Sequence, residues 1–235
     1  MNNENSSEEQ LQSIFRLWSE SFSALLSTHS LKFPGYPFGS LLPICRDPKG
    51  YPLLLISHLA QHTRNLDTNP LCSLTLCESG GGDIQQLARL TCLAKAEPLS
   101  SASASERYFR YYPAARRYLK ELNFNFYRLV IQQYYFIGGF GTARWFDSSR
   151  IQPLPHYSTS EESELLFQLN AHNHQLLNHY LQKQANLHLS SSVEAVGADP
   201  LGLDLREGEN LRRIHLDQPY ESSTELLKMV EKELA

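Results

Sequence analysis

The chain has 235 residues, of which 41% are hydrophobic and 20% charged, and a formal net charge of −4. This is the make-up of a globular protein with room for one large domain or two small ones. The weakly acidic balance gives no field that would draw it to nucleic acid or an anionic membrane, and no stretch approaches the ~18 apolar residues a membrane span needs.

Residues 1–8 are polar and acidic, with no basic-then-apolar export signal, and are expected to be a disordered tail. From Glu9 to Leu26, the residues Leu11, Ile14, Phe15, Trp18, Phe22, Leu25 and Leu26 recur at helical spacing and predict an amphipathic helix. Phe38–Cys45 reads as a strand whose Pro43 suits an edge, Asp47-Pro48-Lys49-Gly50 as a turn, and Pro52–Ile56 as the return strand of a hairpin.

The following stretch organises the chain. Leu53-Leu54-Leu55-Ile56 is a short buried strand, Ser57 offers a helix N-cap, and Leu59, Ala60, Thr63 and Leu66 follow at helical spacing. Asn69-Pro70 ends the helix, because proline pushes the residue before it out of the helical region. The helix start is crowded with Ser57, His58, His62, Thr63 and Arg64. Unpaired backbone N–H groups there favour an anion, and the side chains add donors. The plainer reading is a surface helix with solvated polar residues.

Strands are expected at Leu71–Cys77, Leu87–Glu97 and Phe124–Phe136, with a helix from Ser105 and an aromatic cluster over Tyr108–Tyr118 that suits a core or a dimer interface. Gly138, Gly139 and Gly141 suit a tight turn. Leu165–Leu181 reads as helical, residues 192–205 and 211–216 as a hairpin around Glu207-Gly208, and Glu221–Leu234 as a final helix. Cys45, Cys72, Cys77 and Cys92 lie at wide spacing with no Cys-x-x-Cys pair, which points to reduced thiols in the cytoplasm and away from zinc. His172, His174 and His179 fall on one expected helix, where the i, i+2 pair diverges and only the spacings from His172 and His174 to Asn178 or His179 could converge, so no metal site is assigned.

The order of the short motifs says more than any one of them. Ser57-x-Leu59-Ala60-x-His62-Thr63-x-Asn65-Leu66, Asn69-Pro70, Ala88-Arg89-Leu90-Thr91, Glu106-Arg107-Tyr108, Tyr112-Pro113, Phe126-Tyr127-Arg128-Leu129 and Gly138-Gly139-Phe140-Gly141 together resemble the split-barrel family related to pyridoxamine 5′-phosphate oxidase, in its haem-utilisation branch. The resemblance implies an α+β fold: a six-stranded split β-barrel with peripheral helices over 9–147, a linker at 148–160, and a small α+β domain over 161–235. It also implies a homodimer with a small-molecule cofactor, haem or FMN, in the groove between subunits.

The residues expected at that cofactor are Ser57, His62, Thr63, Arg64, Asn65 and Arg89. No residue is assigned a catalytic role. Where many relatives have an Asp before the phenylalanine, thought to orient the iron-binding histidine, this chain has Asn123-Phe124, and it lacks a histidine-bearing tail after His215. Three functions stay open: a haem-binding protein of iron utilisation that degrades haem in its catalytic form, an FMN-dependent oxidoreductase, and a non-catalytic binding or regulatory protein.

Overall fold

A computed structural model of the chain describes residues 2–47, 49–80, 82–100, 102–139, 143–151, 155–171 and 193–232. The chain divides into two compact units: residues 1–101 with 114–153, and residues 102–113 with 154–235. Residues 102–113, which sequence places inside the barrel domain, thus cluster with the second unit.

The first unit is the expected split barrel. Helix α1 (Asn2–Glu20) leads into β1 (Ser23–His29), β2 (Pro37–Pro43), β3 (Cys45–Arg46) and β4 (Pro52–Ser57). Then come α2 (Gln61–Thr68), β5 (Leu71–Cys77) and β6 (Arg89–Leu99), and after an excursion α4 (Ala115–Glu121), β7 (Phe124–Ile137) and β8 (Ala143–Asp147). The helix of that excursion, α3 (Ala102–Tyr111), belongs to the second unit. All strand pairings are antiparallel, in the order β2-β1-β5-β6-β7-β4-β3, with β8 also on β7. The 14-residue β7 is the spine, carrying β4 at its first residues and β8 at its last.

The sheet has eight strands where six were expected, and β1 is the main reason. The predicted helix over Glu9–Leu26 stops at Glu20, and residues 23–29 alternate in burial, with Ala24, Leu26 and Thr28 turned inward. At its other end α1 begins at Asn2, so helix runs through the stretch expected as a tail. The expected hairpin is correspondingly redrawn. Strand β2 pairs with β1 over seven positions and sits at the sheet edge, where a strand ending in proline belongs, while only Cys45 and Arg46 pair with β4.

The register lines up one inner row across the sheet: Ser40, Leu26, Leu74, Cys92, Tyr134 and Phe146. All but Ser40 are buried. Helix α1 covers this side with Ile14, Leu17 and Trp18, and Trp18 meets Tyr134 edge-on at 6.0 Å. The adjacent row on the opposite face reads Leu41, Leu25, Thr75, Thr91, Tyr135 and Trp145. Leu41 is 75% exposed and Trp145 54%, and Leu71 and Leu93 on the same face are also exposed. An apolar sheet face open to solvent is unusual for a lone globular unit.

The second unit holds α3 (Ala102–Tyr111), α5 (Thr159–Ala171), a three-stranded sheet of β9 (Val193–Asp199), β10 (Gly202–Glu207) and β11 (Asn210–His215), and α6 (Ser223–Lys232). The stretch 192–205 expected as one strand is two, and the hairpin around Gly208 is present between β10 and β11. Leu165, Leu166 and Leu169 of α5 pack with Val193, Leu203, Leu205, Leu226 and Val230.

A buried polar network joins these elements. Arg107 and Arg110 both pair with Glu162, the Tyr111 hydroxyl donates to Asp204 Oδ2 at 2.6 Å, and Arg213 spans Asp199 (2.6 Å) and Asp204 (2.9 Å). A Cβ on Gly197 would lie 1.8 Å from the Tyr111 hydroxyl, so only glycine fits there. Asn170, at the end of α5, clasps Ala195 with both its amide atoms at 2.9 Å.

His172, His174, His179 and the later part of the helix expected over Leu165–Leu181 lie outside the described residues. Among the described residues no helix is long and apolar enough to cross a membrane. No group of histidines, cysteines and carboxylates among them could hold a metal ion. The four cysteines, all described, form no disulfide.

Candidate functional site

The site expected at the strand-to-helix junction is built by β4 and α2. Pro52 to Ile56 are buried, and β4 ends where Ser57 pairs with Phe124 of β7. Ser57 does not cap the helix. Its carbonyl accepts Ala60 N (3.0 Å) and the Thr63 hydroxyl (2.6 Å), and its own hydroxyl accepts Leu59 N (3.2 Å). These bonds form a turn, so α2 starts later, at Gln61, with Ala60 at the N-cap and no side-chain cap. The first N–H groups of α2 therefore lack the side-chain acceptor that a Ser or Asp would give. The other end is as predicted: Asn69 is extended, with φ −138°.

The predicted residues separate into three groups. Thr63 and Asn65 are buried and spend their polar groups inside the fold. Thr63 closes the turn, while Asn65 accepts Leu31 N and Gln61 Nε2 and donates to Thr28 Oγ1, each at 2.9 Å. Asn65 thus braces the β1–β2 loop.

His62 and Arg64 form the second group. His62 Nδ1 lies 3.1 Å from the Ser40 hydroxyl, its Nε2 is enclosed without a hydrogen-bond partner, and burial holds its pKa below the ordinary 6.5. Arg64 is exposed on the first turns of α2.

Arg89 stands apart from both. It begins β6, pairs with Ile137, and reaches the Ile84 and Gln85 carbonyls at 3.3 and 3.5 Å. Ser57 pairs with Phe124, at the opposite end of β7. Arg89 lies three residues before Cys92, whose row runs through Leu74 and Leu26 to the Ser40 that meets His62.

Ser40 joins the site without any sequence signal, and His58, which sequence places in the crowd at the helix start but not among the cofactor residues, gains a defined partner. Ser40 is the open end of the inner row and meets His62. His58, in the turn before α2, places Nδ1 3.0 Å from the carbonyl oxygen of Asn123. Ser40 lies 22 residues from its partner and His58 lies 65, separations at which spacing carries no signal.

A groove of about 420 Å³ opens elsewhere in the barrel, lined among others by Ser27, His29, Tyr36, Ser73, Leu93 and Gln132. It adjoins the apolar outer face, since Ser27, Ser73 and Leu93 lie in its next row. Its size is within the range of small-molecule sites.

The model of the family described as CREG, beta-barrel matches residues 14–152. A protein of unknown function from Agrobacterium tumefaciens superposes over 95% of this chain and 94% of its own, with TM-score 0.73 and 24% identity. A haem-binding protein from Mycobacterium smegmatis does so over 95% and 98%, with TM-score 0.55 and 22% identity. At these identities the likeness shows the fold. In sequence, 56 residues are 46% identical to the non-canonical chloroplast haem oxygenase HOZ of Arabidopsis thaliana, a match that covers 24% of this chain and 17% of that protein.

Proposed function

The chain belongs to the CREG β-barrel family, and from that premise we propose that it is a haem-binding protein of iron utilisation, with an oxidoreductase activity of the haem-oxygenase type. The observation that carries this reading is the 46% identity to a haem oxygenase over 56 residues. The α2 start suits the anionic carboxylates of such a ligand: an uncapped helix N-terminus with Arg64 exposed beside it. Bound haem would supply redox-active iron.

The working unit in this proposal is a homodimer. The exposed row of Leu25, Leu41 and Trp145, with Leu71 and Leu93, is the surface a second copy would cover. The reducing interior of a cell is the setting that four cysteines without a disulfide support, and a net charge of −4 gives no pull toward nucleic acid.

FMN is the second reading, favoured by the same uncapped helix start, which would take a phosphate as readily as a carboxylate. An absorption titration of the purified protein with haem and with FMN tests the two. A saturable Soret shift supports the haem reading, and saturable FMN binding without one replaces it by an FMN-dependent oxidoreductase. Binding of neither leaves a non-catalytic binding protein. Light scattering at micromolar concentration tests the dimer.

A further inference from the structure

Histidine binds a metal through one ring nitrogen while the other donates its proton to an acceptor that fixes ring and tautomer. The described histidines at the α2 start differ in this respect. His62 faces a serine hydroxyl, which can donate or accept, and its far nitrogen is enclosed. His58 faces a backbone carbonyl. A carbonyl oxygen only accepts, so in the neutral ring the proton sits on Nδ1 and Nε2 is left with a bare lone pair. His58 is also exposed, so that a ligand can reach it.

The acceptor is itself fixed. Asn123 has φ +51°, and it is the one residue other than glycine with a positive φ among those described. Asparagine enters this left-handed region more readily than most residues. The turn it makes between α4 and β7 presents its carbonyl to the His58 ring at 3.0 Å and to the His58 backbone N–H at 3.5 Å. Pairing of Ser57 with Phe124 holds the two segments in register. Ring, tautomer and acceptor are thus set before any ligand arrives.

We infer that His58 ligates haem iron in this protein through Nε2, with Asn123 as the positioning residue that holds its ring. The inference rests on the haem-binding reading above, and it assigns the iron ligand to the same turn-and-helix segment that presents Arg64.

Two measurements test it. Nitrogen-15 NMR of the imidazoles in the haem-free protein should show His58 protonated at Nδ1, and an Nε2–H tautomer overturns the inference. Haem is then titrated at pH 8 into wild type, His58→Gly, Asn123→Gly and Asn123→Val, each checked for folding by circular dichroism. Wild type should give a saturable Soret band and the electron paramagnetic resonance spectrum of imidazole-ligated ferric haem. His58→Gly should lose that spectrum, and added imidazole should restore it, which a structural role would not allow. Asn123→Gly keeps the left-handed backbone and should keep the spectrum. Asn123→Val is strained there and should bind roughly tenfold more weakly, the low end of losses seen when an outer partner is removed.

A saturable wild-type spectrum that His58→Gly leaves unchanged in band position and spin state overturns the role of His58 and leaves haem binding standing. A wild type that takes up no haem overturns both.

Discussion

Asn65→Ala separates a fold role from a ligand role at the site expected from sequence. The side chain is fully buried and makes three hydrogen bonds of 2.9 Å, to Leu31 N, Gln61 Nε2 and Thr28 Oγ1. Gln61 is only half-buried and can turn to water, so two bonds count, each with a net contribution of about 1 kcal/mol. The space left by the carboxamide adds about 1 kcal/mol. The expected loss is about 3 kcal/mol, which at an m-value of about 2 kcal/mol per molar lowers the urea midpoint by roughly 1.5 M. Fluorescence follows the transition well, since both tryptophans, Trp18 and Trp145, lie in the barrel unit. Asn65→Asp keeps the acceptor for Leu31 but loses the donor and buries a charge, and should cost at least as much. A midpoint that moves by less than ~0.3 M while cofactor affinity drops by more than about tenfold would refute the reasoning, because the energy would then lie in a ligand contact.

His62 gives a pH signature. Burial lowers its native pKa below the unfolded 6.5, so the unfolded chain binds the extra proton first. The contribution to stability is constant above about pH 6.5 and is lost as pH falls from there toward the native value; His62→Gln should lack this slope, so the wild-type-minus-variant difference should carry it, as denaturant unfolding between pH 5 and 8 will show. Arg64→Ala removes an exposed guanidinium worth about 1.5–3 kcal/mol in a charge-assisted bond, so a binding isotherm should show affinity for the anionic cofactor falling by roughly one to two decades. Gly197→Ala drives a methyl into the Tyr111 hydroxyl and breaks its bond to Asp204, so a thermal melt should show a loss of about 3–5 kcal/mol, and Tyr111→Phe in the same chain should recover part of it.

Sequence shows what a run of residues must bury and misses what a side chain has already bonded. Strands β4, β5 and β7 are legible because their apolar or β-branched runs are long and end at strong punctuation, such as Asn69-Pro70. Strand β1 is not, because Phe22, Leu25 and Leu26 continue the helical spacing of Ile14 and Trp18, and over so few residues periods of 2 and 3.6 share positions. A helix after β4 is legible from residue types, but it starts at Gln61 and not at a Ser57 cap, and Thr63 and Asn65, which look like ligand donors on a helix start, are consumed by Ser57, Thr28 and Leu31. His58 was visible only as one of a crowd, since its meaning depends on a carbonyl across the β4–β7 pair. Asn123, which stands where many relatives have an aspartate, suits a left-handed turn through its backbone.

The placement of α3 bears on how this protein can be inherited. A gene segment for residues 154–235 encodes Glu162, Asp204 and Gly197, but not the Arg107, Arg110 and Tyr111 that occupy them. Transferred alone, it would bury a carboxylate without its cations, a defect of several kcal/mol. The ten residues of α3 come instead from the middle of the sequence, between two strands of the barrel. Recombination at a single breakpoint after the barrel would therefore separate Glu162 from both of these arginines. Homologues that lack the second unit should also show a shortened or rebuilt connection between β6 and β7.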